Sequence, residues 1–269
     1  MSELEHIADV APMVSGSERV EAECIRCDKP FAYEKQYAQF LGRPVFALPI
    51  RRVCDACEHE EFLEEEREEA RQAFERAMNR YSRGDRGSRL AHASFASFVE
   101  GDHNRGALTT AKAWMDESTR PNLLLVGPIG SGKSFLAACI HNALLAALQP
   151  AYWLNAGALV VEIRRGFGDR DAAARANDRM ECASTAPVLV LDDLGKVHPG
   201  KDVSWVEETF YTIVEARYRD ELPTIVTTEW KSAALAERVG QSVVSRLEDG
   251  AWVAGIKQPA TAYRKAARV

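Results

Sequence analysis

The sequence predicts an α/β protein, with a parallel sheet covered by helices on both faces and a small cysteine-bearing unit in front of it. From residue 122 onward, apolar runs alternate with helical patterns. Continuous β-branched runs of this kind are typical of parallel strands buried on both faces. Two Cys-x-x-Cys pairs lie upstream, and the polar segment "SRGDRGS" (82–88) follows them. We therefore predict two domains, residues 1–82 and residues 83–269.

Composition limits the class of protein. The 269-residue chain is 46% hydrophobic and 28% charged, as in ordinary globular proteins. Its apolar runs fall well short of the ~20 residues that a membrane span needs. The N-terminal residues lack a signal-peptide pattern, so we expect a cytoplasmic protein. A net charge of −6 excludes a general nucleic-acid coat protein, and any contact with DNA would have to be a local patch.

The N-terminal region contains four paired cysteines behind a segment, residues 1–20, whose lack of periodicity predicts a mobile tail. The pairs are Cys24 with Cys27 and Cys54 with Cys57, separated by 26 residues. Two such pairs can complete a tetrahedral zinc site, and a closed site of four thiolates is structural. A redox Cys-x-x-Cys would need one pair in a βαβ context. We expect Cys139 and Cys182 to be small core residues instead.

A helix is predicted directly after the second cysteine pair. From Glu58 to Tyr81 apolar residues recur at steps of three, four and seven, which gives one apolar stripe beside an acidic face. The stripe consists of Phe62, Leu63, Ala70, Phe74, Ala77, Met78 and Tyr81. Two interpretations stay open: the helix presents a surface to a partner, or it is a solvated spacer.

The remaining elements alternate between strand and helix. We predict strands at 122–127, 151–155, 188–193 and 223–229, and helices at 133–148 and 205–220.

The stretch "GPIGSGKS" (127–134) predicts a phosphate site. It fits the pattern G-x-x-x-x-G-K-[ST], with a strand before it and a helix after it, as the motif requires. Its glycines let backbone N–H groups surround a phosphate. We expect Lys133 to reach the β- and γ-phosphates of ATP and Ser134 to hold Mg²⁺. The predicted binding residues are Gly127, Pro128, Ile129, Gly130, Ser131, Gly132, Lys133, Ser134 and Phe135.

The strand "VLVLDDLG" supplies acids about sixty residues further on. Asp192, at the end of its apolar run, is expected to hold magnesium. Asp193 is placed to orient or deprotonate an attacking water. Together with the P-loop upstream, this is the pattern of a Walker B motif.

From about Arg89 onward the chain resembles the DnaC/DnaI/IstB branch of the AAA+ ATPases. The matching motifs occur in the same order as in that branch, and the region along which they are spread covers about two-thirds of the chain. They are "ASFASF" (93–98), "NLLLVGPIGSGKS", "VLVLDDLGK", "WVEETFYTIVEARY", "LPTIVTTE", "VVSRL" (243–247) and "AYRKAARV". The resemblance implies a P-loop AAA+ sheet without a C-terminal helical lid, and slow ATP turnover that is used as a switch.

The resemblance also assigns arginines. In such ATPases the site lies between subunits and a neighbour's arginine contacts the γ-phosphate; Arg246 matches that position, although a surface arginine would give the same pattern. Arg217 matches a family arginine of less certain role, and pairing with Glu215 or Asp220 is the alternative. Glu229 departs from the family, which carries a polar Asn sensor there, so Thr227 or Thr228 is the expected sensor.

A helical insert after the second strand touches single-stranded DNA in loaders and initiators of this branch. The matching segment, 157–180, contains five arginines and the glycine-flanked Phe167, which suits backbone contact with base stacking. The arginines are Arg164, Arg165, Arg170, Arg175 and Arg179. Interleaved acids would give the same pattern in a solvated, ion-paired helix.

The resemblance implies an ATP-controlled loader that brings a replicative DnaB-type helicase to single-stranded DNA, with the zinc head gripping the helicase. The rival is an IstB-type ATPase helper of transposition, whose N-terminal region is typically helical and zinc-free. A small-molecule P-loop kinase would need a substrate lid and would work as a monomer. A binding module without hydrolysis also stays open because of Glu229.

Overall fold

A computed structural model describes residues 14–40, 43–47, 52–82, 84–196, 204–259 and 263. The chain divides into two compact units after Ala73, inside a long helix. The domain boundary predicted at 82/83 lies further along the chain and stays a prediction.

The first unit contains a three-stranded antiparallel sheet in the order β1-β2-β3. Its strands are β1 (Val14–Glu23), β2 (Pro30–Phe40) and β3 (Arg43–Ala47). The tail predicted for residues 1–20 is wrong from Val14 onward, because the backbone there pairs with β2 in a register that places Val20 opposite Tyr33. Backbone pairing does not require the apolar periodicity on which the prediction relied. Residues 1–13 lie outside the described residues.

Helix α1 (Asp55–Tyr81) follows the sheet. Acids in its first turn and Arg80 in its last turn suit the positive and negative ends of a helix. The predicted stripe is only partly covered, because Phe62 is 56% exposed and Phe74 38% exposed.

The second unit contains a five-stranded sheet in the order β5-β6-β7-β4-β8, in which every pairing is parallel. The strands are β4 (Leu123–Val126), β5 (Ala151–Asn155), β6 (Val188–Asp192), β7 (Thr224–Thr228) and β8 (Trp252–Gly255). Except in the edge strand β8, where Val253 is exposed, successive strand residues enter different cores: Leu123 and Leu125 pack in one cluster, and Leu124 packs in the other. The sheet is thus buried on both faces, as the apolar runs predicted.

Seven helices and one 3₁₀ turn accompany the sheet in this part of the described chain. They are the 3₁₀ turn Ser88–Leu90, α2 (Arg105–Asp116), α3 (Lys133–Ala146), α4 (Ala156–Gly166), α5 (Arg170–Thr185), α6 (Ser204–Arg219), α7 (Ser232–Val239) and α8 (Gln241–Glu248). Within the described ranges, no helix is both long enough and apolar enough to span a membrane.

The segment after α1 lies directly on strand β5, at the edge of the sheet. The Asp85 N–H donates to Trp153 O at 3.0 Å. A Cβ at Gly84 would lie 2.3 Å from the same carbonyl oxygen, so only glycine permits this approach. Asp85 also forms an ion pair with Arg179 of α5.

His141 joins this segment to α3. It is buried, and its Nδ1 lies 2.8 Å from Arg86 Nη1 and its Nε2 lies 3.1 Å from Ala151 O. Since a guanidinium only donates, Nδ1 is the acceptor and Nε2–H donates to the carbonyl. Burial, helped by the charge of Arg86, lowers the pKa of His141 to about 4.

We expect this histidine to destabilise the fold in acid. Its pKa is lowered from 6.5, so its contribution is fully present above that value and is lost as pH falls towards 4. Between pH 7 and pH 4.5 the free energy of unfolding should fall by up to about 3 kcal/mol from this residue. Urea unfolding at several pH values checks this, and His141→Gln should flatten the profile. An equally steep profile in the variant would contradict the assignment.

Candidate nucleotide site and cysteine cluster

The P-loop connects the end of β4 to the start of α3, and its backbone requires glycine. Gly130 and Gly132 have φ values of 77° and 99°, in the left-handed region that other residues rarely adopt. A Cβ at Gly127 would lie 2.4 Å from Ile256 O. The start of the loop therefore packs closely against the backbone of Ile256. Helix α3 begins at Lys133. N–H groups at a helix start provide positive potential for an anion.

Lys133 lies back against the P-loop itself. Its Nζ donates to Gly127 O and Pro128 O, both at 2.8 Å. The residue is only 7% exposed, and burial lowers the pKa of Lys133, which the charge of Asp193 opposes. The ammonium group is thus a largely desolvated cation within the loop.

Asp192 connects the P-loop to the neighbouring strands. Its Oδ1 accepts from Ser134 Oγ and from Thr227 Oγ1, both at 2.7 Å. Burial raises the pKa of Asp192, while both hydroxyls favour its carboxylate form. Because β7 lies between β4 and β6, the end of β7 places Thr227 beside both predicted motifs.

Of the two sensor candidates, Thr227 contacts both aspartates. Besides its bond to Asp192, its Oγ1 accepts from the Asp193 N–H at 2.9 Å. Thr228 Oγ1 instead donates to the carbonyl of Leu194 at 2.9 Å. Thr227 is therefore the sensor candidate whose hydroxyl can fix the position of Asp193 relative to Asp192.

Asp193 has a left-handed backbone, with φ at 60°, and its Oδ1 accepts from Lys196 Nζ at 2.7 Å. Glu229 is half-buried at the end of β7, and its charge raises the pKa of Lys133. The negative charge of Glu229 thus favours the protonated form of Lys133 in the P-loop.

A cavity of about 530 Å³ lies beside the P-loop and the two aspartates. It is lined by P-loop residues, both aspartates, Lys196, Tyr263 and residues 86–90. Arg86, Arg89 and Tyr263 were not predicted from the sequence as lining residues. Of these, only Tyr263 belongs to a motif that the sequence had indicated, "AYRK".

The residues of this cavity fit ATP and magnesium. Beside the P-loop backbone, Ser131 Oγ is buried without a partner among the described residues. Ser134 and Asp192 bring two oxygen atoms together, and oxygen is the ligand type that Mg²⁺ prefers.

Arg246 lies near the opposite end of the sheet. Asn122, which precedes β4, donates to the carbonyls of Arg246 and Leu247. The Arg246 guanidinium forms an ion pair with Glu215 and lies 5.0 Å from the ring centre of Tyr211. It is therefore remote from the P-loop of its own chain.

Arg217 has a structural setting. It is 1% exposed, and burial lowers its pKa to about 9. Its guanidinium donates to Thr224 Oγ1 and to three carbonyls: those of Ala183, Ala186 and Pro223. The alternative of a pair with Glu215 or Asp220 is wrong, because those acids bind Arg246 and Arg219.

The predicted insert forms α4 and α5. Two of its arginines are ion-paired within it, Arg175 at 3.0 Å and Arg179 at 2.6 Å from Glu162. Arg164, Arg165 and Arg170 are exposed. Phe167 is 75% exposed, and it packs edge-on against Trp205, over which Arg164 also lies.

The four paired cysteines converge in the first unit. Cys24 and Cys27 lie at the turn between β1 and β2, and Cys54 and Cys57 lie at the start of α1. All four Sγ atoms lie within 4.8 Å of one another. Cys139 and Cys182 are buried, as expected for core residues.

This cluster fits a zinc site. Sulfurs at about 2.3 Å from a tetrahedral zinc are about 3.8 Å apart, and Cys27 Sγ lies 3.8 Å from Cys54 Sγ. The Cys54 N–H donates to Cys24 Sγ at 3.4 Å and is the main cause that lowers the pKa of Cys24 to about 6. Arg26 ties the first turn to α1 through Glu64, at 2.6 Å.

Comparisons with known proteins support the fold. The DnaC helicase loader structure is 24% identical with a TM-score of 0.53 and covers 64% of this chain and all of that chain. The DnaI structure is 24% identical with a TM-score of 0.55 and covers 63% of this chain and 94% of that chain. The parallel sheet carries the AAA+ fold. A comparison with models of known families gives no match.

One curated relative of this chain is the insertion sequence IS5376 putative ATP-binding protein of Geobacillus stearothermophilus. It is 27% identical over 128 residues, which span 47% of this chain and 47% of the relative. The chain thus matches about half the length of that relative. The expected resemblance to DnaC, DnaI and an ATP-binding protein of an insertion sequence is confirmed.

We expect the purified chain to contain one zinc ion, because the thiol groups of its four paired cysteines are already close together. Cys24→Ser should abolish the metal and unfold the first unit, whereas Cys182→Ser, which removes a thiol outside the cluster, should retain both. Elemental analysis and circular dichroism measure these properties. A metal-free wild-type chain with a folded first unit would contradict the assignment.

Proposed function

We propose that this chain is an ATP-dependent loader that binds a DnaB-type replicative helicase and delivers it to single-stranded DNA in the cytoplasm. Binding and hydrolysis of ATP act as the switch. The observation that carries the proposal is the joining of a four-cysteine head and an AAA+ sheet in one chain. The similarity to the DnaC helicase loader and to DnaI supports it.

ATP binding is assigned to the P-loop. The backbone N–H groups of the loop from Ile129 to Phe135 surround the phosphates, and Lys133 exchanges its two carbonyl contacts for β- and γ-phosphate oxygens. This exchange is favourable because the ammonium group is already desolvated.

Hydrolysis is assigned to the two aspartates. Ser134 and Asp192 would hold Mg²⁺, which when bound would supply positive charge beside the phosphates. Thr227 aligns Asp193 with Asp192, and Asp193 orients or deprotonates the attacking water. Lys196 forms an ion pair with Asp193, so the Asp193 carboxylate becomes available as a base when this ion pair opens.

Arg246 is assigned to the site of a neighbouring copy. It lies away from its own P-loop and is held by Glu215 at the protein surface. On self-association, the γ-phosphate of the neighbour replaces Glu215 as its partner. A positive charge supplied in this way stabilises the dispersed negative charge of the transition state.

Single-stranded DNA is assigned to the tip of the insert. Phe167, Trp205 and Arg164 form an exposed aromatic and cationic group that suits base stacking. Arg165 and Arg170 lie exposed on the same insert and suit phosphate contacts. Arg175 and Arg179 instead hold α4 and α5 together through Glu162.

The zinc head is assigned to helicase docking. A unit this small buries little apolar surface, and a metal site with four ligands supplies folding energy that packing cannot. Phe62 of α1, which belongs to the same unit and is 56% exposed, offers apolar contact area for a partner.

An ATPase helper of transposition is the second candidate, because the curated relative belongs to an insertion sequence. Such a helper recruits a transposase and forms filaments on duplex DNA. The cysteine cluster favours the loader over this candidate.

We expect the full chain to form a stable complex with the replicative helicase of its host, and Cys24→Ser to abolish it, since the head would lose its fold. Size-exclusion chromatography with light scattering measures the complex. Lys133→Ala serves as a control that leaves the head intact and should retain binding.

Absence of a helicase complex, with ATP present, would overturn the loader. Filaments on duplex DNA together with binding of a transposase would then establish the transposition helper.

Thr227→Val should lower ATP turnover by about tenfold or more, because a hydrogen bond to a charged group contributes about 1.5–3 kcal/mol. Binding of ATP should change little, since the P-loop is untouched. Thr228→Val is the matched control: its hydroxyl donates to the Leu194 carbonyl and accepts from the Trp230 N–H but contacts neither aspartate, so turnover should stay near wild type. Equal turnover in both variants would contradict the role of Thr227.

A further inference from the structure

Three aromatic rings meet beside the P-loop, and they come from distant parts of the chain. They belong to Phe98, Phe135 and Tyr263. Ring centres are 5.3 Å apart for Phe98 and Tyr263, 5.2 Å for Phe135 and Tyr263, and 6.2 Å for Phe98 and Phe135. Such distances are typical of favourable aromatic pairs. We call this group the aromatic cluster.

Tyr263 contacts the P-loop directly. Its N–H donates to Gly130 O at 2.8 Å. Its ring lies against Gly132, where a Cβ would be 2.9 Å from the ring atom Cδ2. Both glycines have positive φ, and a residue without a side chain can leave this conformation at little steric cost.

The other side of Tyr263 is anchored to the segment that precedes α2. Its hydroxyl accepts from the Val99 N–H at 2.8 Å, and Phe98 packs on its ring. The residue is 4% exposed. Tyr263 therefore connects the "ASFASF" motif to the P-loop, and the same ring borders the nucleotide cavity.

We propose that Tyr263 is a positioning residue for ATP, and that its ring holds the P-loop in the conformation that presents backbone N–H groups to phosphate. The inference rests on the proposed binding of ATP at this loop. Without the ring, Gly130 and Gly132 gain conformational freedom that ATP must remove on binding, so affinity falls. Asp192 and Thr227 lie outside the aromatic cluster, so the contacts between these hydrolytic residues remain unchanged.

Calorimetry of the full chain with ATP and Mg²⁺ tests this, together with the melting temperature without nucleotide. Tyr263→Leu, which removes the ring but keeps apolar volume, should weaken ATP binding about tenfold. Tyr263→Phe keeps the ring and should stay within roughly threefold of wild type. The control is Tyr152→Leu, a buried tyrosine in the core on the other face of the sheet, which should lower the melting temperature without changing affinity.

Phe98→Leu provides a second variant, because it removes a ring that packs on Tyr263 but does not border the cavity. It should weaken ATP binding by roughly threefold or more. This variant decides the outcome if Tyr263→Leu does not fold.

Wild-type affinity in Tyr263→Leu, or in Phe98→Leu where that variant decides, would overturn the inference alone. Equal losses of ATP affinity in Tyr263→Phe and Tyr263→Leu would also overturn it, since the loss would then not come from removal of the ring. A wild-type chain that binds ATP no better than Lys133→Ala would overturn the proposed function and this inference with it.

Discussion

The organisation of the nucleotide site depends on one carboxylate oxygen, Asp192 Oδ1, which accepts hydrogen bonds from two hydroxyls on different elements. Ser134 belongs to the helix after the P-loop and Thr227 to the strand between the two motifs. A shared acceptor fixes both hydroxyls relative to each other. Both hydrogen bonds also favour the carboxylate form of Asp192 and so oppose burial, which raises its pKa.

The sheet and both motifs were predictable from the sequence because each is a local signal. The run "VLVLDD" contains its own burial pattern, and "GPIGSGKS" contains its own turn chemistry. The convergence of Cys24, Cys27, Cys54 and Cys57 was equally predictable, because thiol pairs have few other uses at this spacing. Strand β1 was missed, since its residues show no alternation and its pairing depends on β2.

Contacts between distant residues explain the rest of what the sequence did not predict. The choice of Thr227 over Thr228 depends on which face of β7 meets Asp192, and thus on the strand order. The pairing of Arg246 with Glu215, and the buried carbonyl contacts of Arg217, depend on how α6 and α8 pack. Charge and spacing alone are compatible with several partners for each of these arginines.

The position of Gly84 and Asp85 on strand β5 affects how copies of this chain can associate. β5 is the outermost strand on its side of the sheet, and a free outer strand is a template on which a foreign strand can pair. The Asp85 N–H already uses the carbonyl of Trp153, and the backbone of Gly84 occupies the space beside it. A foreign strand would therefore meet an occupied carbonyl and an occupied space at Trp153, which hinders growth of a continuous intermolecular sheet at this edge.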